Sequence, residues 1–304
     1  MTIIETHELG KRYSKTWALS NCTLSLPAGR VTALVGPNGA GKTTLQHLLV
    51  GLATPTTGNL TVLDGLAPGS KEALAAIAFV AQDAPLYRYL SVAEMIRLSG
   101  HLNRQFDHPL AVRRCAELCL PGDNKVGKLS GGQQAQLALT LALSRRPRLL
   151  ILDEPLARLD PLARHEFMAL LMVAAAEDGL SILLSSHVVS ELERVANHLV
   201  VLAAGRVQMA GDIVELLEHH RVLVGPADQL PLIERRFHVL EARRGQRQAS
   251  LVVAAHPDDE VPAGWQAAEV NLEELVLALL REGRSSDKGR LGVSEEPEKA
   301  RVTA

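Results

Sequence analysis

Gly36-Pro37-Asn38-Gly39-Ala40-Gly41-Lys42-Thr43 is the stretch on which the reading of the fold turns. Before it runs Arg30–Val35, a β-branched apolar segment ending in glycine; after it a helix-like segment extends from Lys42 to Val50. Strand, glycine loop and helix, in that order, build an anion cradle. Glycines let backbone N–H groups turn inward and approach phosphate oxygens closely. The helix N-terminus adds about half a positive charge at the same place. In the pattern G-x-x-x-x-G-K-[ST], Lys42 reaches the β- and γ-phosphates and the Thr43 hydroxyl ligates magnesium. A chance match in a glycine-rich turn is the competing explanation, and the strand before and helix after it argue against that. Alone, the loop indicates a nucleotide-binding P-loop without saying which kind.

Working outward, Leu149-Leu150-Ile151-Leu152-Asp153-Glu154 is the second element. Four apolar residues without a charge suit a strand buried on both faces. Such a strand carries Asp153 to its C-terminal edge, where α/β sheets place ligands. Asp153 is then expected to hold the magnesium, and Glu154, just past the strand end, to act as general base toward water. A third apolar run, Ser181–Ser186, follows a helical segment at 162–177. Alternating buried strands and helices predict a parallel α/β sheet. Residues 3–29 read as strands with a turn at Pro27-Ala28-Gly29, and 86–119 carry helix-like spacing, a helical insert.

Between loop and carboxylates stands Leu129-Ser130-Gly131-Gly132-Gln133. Ser130 reads as the cap of a helix running to about Arg146 and ended by Pro147, so the chain carries a second anion-binding helix end. With this motif in this order, the chain resembles the ATP-binding cassette proteins. The resemblance covers roughly residues 3–220. It implies a P-loop NTPase cassette: a mixed sheet core with an antiparallel β subdomain and a helical subdomain. It also implies that the loop of one subunit and the signature of another clamp the same ATP. ATP contacts are then expected from Gly36 through Thr44, from Ser130, Gly131, Gly132 and Gln133, and from Tyr13, which looks like the aromatic stacked on adenine. Gln82 resembles the glutamine that contacts magnesium and water, Asp160 the loop residue crossing the dimer interface, and His187 the histidine that touches the γ-phosphate and orients Glu154. Lys42, Glu154 and His187 form the expected catalytic set; Thr43, Gln82 and Asp153 form the metal set. One departure is visible: the interface loop reads Ala157-Arg158-Leu159-Asp160, with a bulky cation where such loops often have glycine.

Beyond residue 220 the resemblance weakens. Strand-like 237–243 and 248–255, joined by the basic turn Arg243–Arg247, precede a helix opened by Asn271 with Glu274 as its capping pair. Leu272, Leu275, Val276, Leu279 and Leu280 make its apolar stripe, and Gly283 is expected to stop it. The predicted organisation is a cassette at 1–220 with its helical insert at about 83–145, a small α+β appendage at 221–283, and a disordered tail at 284–304. The appendage resembles the extension of ATPase subunits in ABC-2-type exporters, which work with separate membrane proteins.

Bulk properties narrow the function further. A net charge of −2 over 304 residues gives no overall field for nucleic acid, and no such partner is expected. The three cysteines, Cys22, Cys115 and Cys119, form no disulfide framework. Cys115 and Cys119, four apart, could share one helix face, as buried apolar side chains or as a metal or redox pair. No apolar run is long enough to span a bilayer. The expected function is an ATP-hydrolysing, magnesium-dependent transporter subunit, peripheral to the cytoplasmic face of the cell membrane. Its expected partners are a second cassette and an integral membrane permease. A soluble ABC-type ATPase is the alternative. Chromosome-type cassettes interrupt the domain with long coiled coils, and the stretch from Thr43 to Leu129 is too short for one; translation-type proteins carry two cassettes in one chain, and this has one.

Overall fold

The structure is a computed structural model that describes residues 1–83, 86–157 and 159–291. Arg158 and residues 292–304 of the expected tail lie outside the described residues.

The chain opens with a long antiparallel hairpin, β1 (Thr2–Tyr13) and β2 (Thr16–Pro27), then enters β3 (Val31–Val35) and helix α1 (Lys42–Leu49). β4 (Thr57–Val62) returns to pair with β1, completing a three-stranded sheet in the order β2-β1-β4. Helix α2 (Lys71–Ala76) leads into β5 (Ile77–Val80). Three helices follow: α3 (Val92–Leu102), α4 (His108–Glu117) and α5 (Gly131–Leu143). Then come β6 (Leu149–Leu152), α6 (Pro161–Asp178), β7 (Ser181–Ser186), the single turn α7 (Val189–Leu192), β8 (His198–Ala203) and β9 (Arg206–Asp212).

The central sheet has the order β5-β6-β7-β3-β8-β9, parallel except for the last pair. β3, β6 and β7 are buried along their whole length, as strands covered on both faces must be. One face packs on α1 and the antiparallel sheet through Leu45, Leu48, Leu9 and Leu19. The other packs on α5 and α6 through Leu139, Phe167 and Leu171. Helices α3 and α4 gather their own cluster around Val92, Ile96 and Leu120. The parallel strands all end on one edge, so β3, β6 and β7 deliver Gly36, Asp153 and His187 to the same place.

The C-terminal part comprises α8 (Ile213–Glu218), β10 (His220–Pro226), α9 (Leu230–Arg236), β11 (His238–Arg244), β12 (Gln248–Ala254), β13 (Gln266–Glu269) and α10 (Leu272–Leu291). Its sheet is antiparallel in the order β11-β12-β10-β13. At the start of α10 the capping pair forms in both directions: Asn271 Oδ1 accepts from the Glu274 N–H at 2.8 Å, and Glu274 returns the bond to the Asn271 N–H at 3.3 Å. Leu272, Leu275, Val276 and Leu279 are buried in the same apolar core as the central sheet.

Three local expectations are corrected. Helix α10 does not stop at Gly283 but runs to Leu291, so the start of the expected tail is helical. A Cβ on Gly283 would lie 3.0 Å from the Ala203 Cβ, so glycine serves close approach to the sheet rather than termination. Helix α5 ends at Leu143, short of Arg146, because Arg146 adopts a left-handed conformation, held by its ion pair with Asp107 at 2.8 Å. Cys115 and Cys119 do not share a helix face. The helix ends at Glu117, and Cys119, at φ 52, turns outward while Cys115 is buried. Burial pushes the Cys115 thiol up to about 11, which leaves it protonated at neutral pH.

Candidate active site

The loop from Gly36 to Gly41 has its shape because two of its positions accept nothing larger than glycine. A Cβ on Gly36 would lie 2.2 Å from the Leu202 carbonyl oxygen, and Gly41 sits at φ 106 with the Ala18 carbonyl 2.6 Å from where a Cβ would be. Gly41 is also the N-cap of α1 and supplies no side-chain acceptor. The first N–H groups of α1 are therefore left for another partner.

A cavity of about 560 Å³ opens in front of this helix end, lined by Tyr13, Ala18, Asn38–Thr44, Gln82, Glu154, Ala157 and His187. Its size is that of a nucleotide pocket. Lys42 is buried, and its Nζ donates to the Gly36 carbonyl at 2.8 Å and pairs with Glu154 Oε1 at 3.0 Å. Glu154 Oε2 lies 2.8 Å from His187 Nδ1. Thr43 Oγ1 donates to Asp153 Oδ2 at 2.8 Å. Tyr13 is half exposed at the cavity rim, with Lys11 Nζ 5.1 Å from its ring centroid.

Glu154 carries the chemical interest of the site. Burial pushes its carboxyl up, but the hydrogen bond and charge of Lys42, with His187 adding to them, hold it below the usual carboxylate range. Its backbone is left-handed at φ 44, a conformation that costs a non-glycine residue about 1–3 kcal/mol and persists only where neighbours impose it. Ser185 is that neighbour: its Oγ accepts the Glu154 N–H at 2.8 Å and donates to Asp153 Oδ1 at 2.9 Å. Gln46 supports the same turn from α1 by donating to the Leu152 carbonyl at 3.0 Å. Sequence reasoning missed both residues. The available signal was a polar side chain at each buried position, Ser185 near the end of an apolar strand and Gln46 among the leucines of α1.

The expected signature and interface-loop contacts are not gathered here. Ser130, Gly131, Gly132 and Gln133 stand at the start of α5, outside the cavity. The Ser130 Oγ accepts from the Gln133 N–H at 3.1 Å, and the Gln133 side chain accepts from the Ser130 N–H at 3.0 Å. Asp160 caps α6, accepting from the Ala163 N–H at 3.0 Å. Gln82 follows β5 and lies between the cavity and the helical insert, lining spaces on both sides.

Comparison with known proteins places this geometry. The family described as ABC transporter matches residues 19–157, and a second, described as AAA domain, putative AbiEii toxin, Type IV TA system, matches 125–193. The chain is similar to the Nod factor export ATP-binding protein I of Rhizobium johnstonii, 32% identical over 284 residues that cover 90% of each chain. It is also similar to the Fe(3+) ions import ATP-binding protein FbpC of Pseudomonas fluorescens, 34% identical over 249 residues, 76% of this chain and 69% of that one. Among solved structures, one described as the ATP binding subunit of an ABC transporter superposes with a TM-score of 0.62 at 28% identity, covering 71% of this chain and 92% of that chain. Similarity that runs through nine-tenths of both chains shows kinship of whole proteins rather than of an isolated loop, and the chain belongs to the ATP-binding, ATP-hydrolysing subunits of ABC transporters.

Proposed function

We propose that this chain binds magnesium-ATP in the cavity before α1, hydrolyses it as a head-to-tail dimer of cassettes, and drives export through a separate membrane subunit. The observation that carries this reading is Glu154, bracketed by Lys42 at 3.0 Å and His187 at 2.8 Å at the mouth of the phosphate cradle.

The oxygen pair of Thr43 and Asp153 fits magnesium, a hard cation commonly held by one or two protein oxygens plus substrate phosphates. Gln82 would complete that set. Magnesium, when bound, would neutralise charge on the phosphates. The chain's own residues do the rest. Backbone N–H groups of the loop and of α1 orient the phosphates, with Asn38, Ala40 and Thr44 lining the cradle and Tyr13 stacking on the base. Phosphate oxygens compete with Glu154 for Lys42. As Lys42 turns to them, Glu154 loses the charge that most depresses its pKa and becomes a stronger base toward water. His187 keeps the carboxylate aimed.

The signature residues Ser130–Gln133 and the loop residue Asp160 are not among those lining this cavity, which supports their use across a dimer interface. The α3–α4 insert supports a membrane partner: an apolar groove of about 550 Å³, lined by Val92, Ile96, Val112 and Leu120, lies in the same insert as the exposed Tyr87 and Tyr89. No helix among the described residues is long and apolar enough to cross a membrane, so the span would belong to that partner and this chain would sit at the cytoplasmic face. We take 1–220 as the cassette and 221–283 as an accessory part. Export is favoured because the exporter-named relative aligns through the accessory part, over 90% of the chain, while the importer-named FbpC aligns over 76%.

Two experiments test this. Glu154→Gln is expected to keep ATP binding and lose most turnover; unchanged steady-state hydrolysis removes Glu154 as the base. Affinity purification from detergent-solubilised membranes is expected to recover a polytopic membrane protein in near-equal amount; recovery of soluble proteins alone removes the transporter assignment for this chain and leaves the ATP chemistry standing.

A further inference from the structure

We propose that Arg164 is a positioning residue for hydrolysis: it ties the loop that ends at Asp160 to the helical turn that carries His187. The proposal rests on the reading that His187 orients Glu154.

Helix α6 begins at Pro161, and Arg164, within its first turn, folds back toward the site. Its Nε donates to the Leu159 carbonyl at 2.8 Å, and its Nη1 donates to Glu191 Oε1 at 2.6 Å. Leu159 is the residue before the Asp160 cap. Glu191 belongs to α7, which starts two residues after His187. One guanidinium therefore joins the two segments that flank Glu154. The Glu191 side chain is 17% exposed and that of Arg164 35%, so the pair is partly shielded from water. A cavity of about 20 Å³, room for one water, is lined by Glu154 and His187 together with Arg164 and Glu191. The pair and the reacting groups thus line one common space.

The turn needs this anchor. α7 has four residues and no side-chain cap at its N-terminus, too little to persist by its own hydrogen bonds. Val189 and Leu192 bury its apolar side, and Arg164–Glu191 holds the other. Arginine suits the task because its rigid fork serves two acceptors at once; lysine, a single flexible point charge, serves one. A movement of the Leu159–Asp160 loop would pass through this fork to α7 and change how His187 meets Glu154.

Steady-state hydrolysis and ATP affinity of Arg164→Ala, Arg164→Lys and Glu191→Gln, each alone and combined with His187→Ala, test the idea. Arg164→Ala is expected to lower kcat about ten-fold, the scale of a small misplacement of a catalytic group, with ATP affinity near that of the parent. Arg164→Lys should fall between. In the His187→Ala background the same changes should have no further effect, because Arg164 acts through His187. Should Arg164→Ala fail to fold, the near-isosteric Glu191→Gln reads the same coupling. Normal kcat in folded Arg164→Ala, loss of affinity in step with kcat, or full multiplicative losses with His187→Ala would each overturn the proposal. Glu154→Gln run alongside separates the levels: if it is inactive while Arg164→Ala is normal, only Arg164 loses its role, whereas an active Glu154→Gln removes the underlying reading.

Discussion

Two helix N-termini in this chain look alike in sequence and differ in structure. α1 begins after Gly41 and α5 after Ser130, each beside glycines. Gly41 supplies no side-chain acceptor, so the N–H groups of α1 face the cavity unclaimed. Ser130 and Gln133 form a reciprocal capping box, so two of the N–H groups at the start of α5 are already satisfied within the chain. The first end is an anion site as it stands. The second is a helix start closed by its own capping box, which on the proposed reading leaves its remaining donors for a second cassette. On the proposed dimer reading, this difference is what would let one chain bind ATP by itself and hydrolyse it only with a second cassette.

The largest expected effect strikes the first end. Lys42→Ala removes a buried, hydrogen-bonded charge and should weaken ATP binding to the monomer by about 2–5 kcal/mol, measured by isothermal titration. An unchanged affinity would break the assignment of α1 as the primary site. Next comes the second end. Ser130→Ala should leave monomer affinity unchanged but lower hydrolysis about ten-fold or more at concentrations where cassettes pair, while the lost cap costs about 1 kcal/mol in chemical denaturation. A fall in monomer affinity matching that of Lys42→Ala would erase the distinction between the two ends.

Smaller effects sharpen the first site. Ser185→Ala leaves the Glu154 N–H without its acceptor and should destabilise the fold by about 1–3 kcal/mol, with turnover falling while ATP affinity holds. The smallest is electrostatic. Because Lys42 and His187 together hold the Glu154 pKa below its ordinary value, the ionised carboxylate stabilises the fold above that ordinary value. This contribution is lost as pH falls through the folded-state pKa. The stability gap between the parent and Glu154→Gln should therefore close on acidification, and a gap that widens would contradict the ion pair.

How far such features could be read in advance depended on their range. The phosphate loop, β6 and β7 are local patterns, and β6 and β7 occupy the residues expected, Leu149–Leu152 and Ser181–Ser186, because a charge-free run buried on both faces has few alternatives. The start of α10 was equally local, since Asn271 and Glu274 satisfy one another within one turn. Its end was not. Gly283 reads as a stop, yet the helix continues because Gly283 is pressed against Ala203 and Gln208, more than seventy positions earlier in the chain. Helix α5 likewise ends early because Arg146 turns left-handed and pairs with Asp107.

By itself, the amino-acid sequence determined the chemical inventory: a glycine cradle, a lysine, a threonine, two adjacent carboxylates and a histidine, each at the end of an element whose local pattern was strong enough to name it. Backbone propensity and apolar periodicity act over a few residues, so these survive without knowledge of the rest. Tertiary structure alone decided which of them meet. It brought Lys42 and His187 onto opposite oxygens of Glu154, set Ser185 beneath the strained Glu154 backbone, joined Leu159 to Glu191 through Arg164, and left Ser130 away from the cavity that Gly41 faces. Those contacts depend on strand order, and strand order is set by burying whole faces of the sheet, a property of the chain as a whole and not of any segment within it.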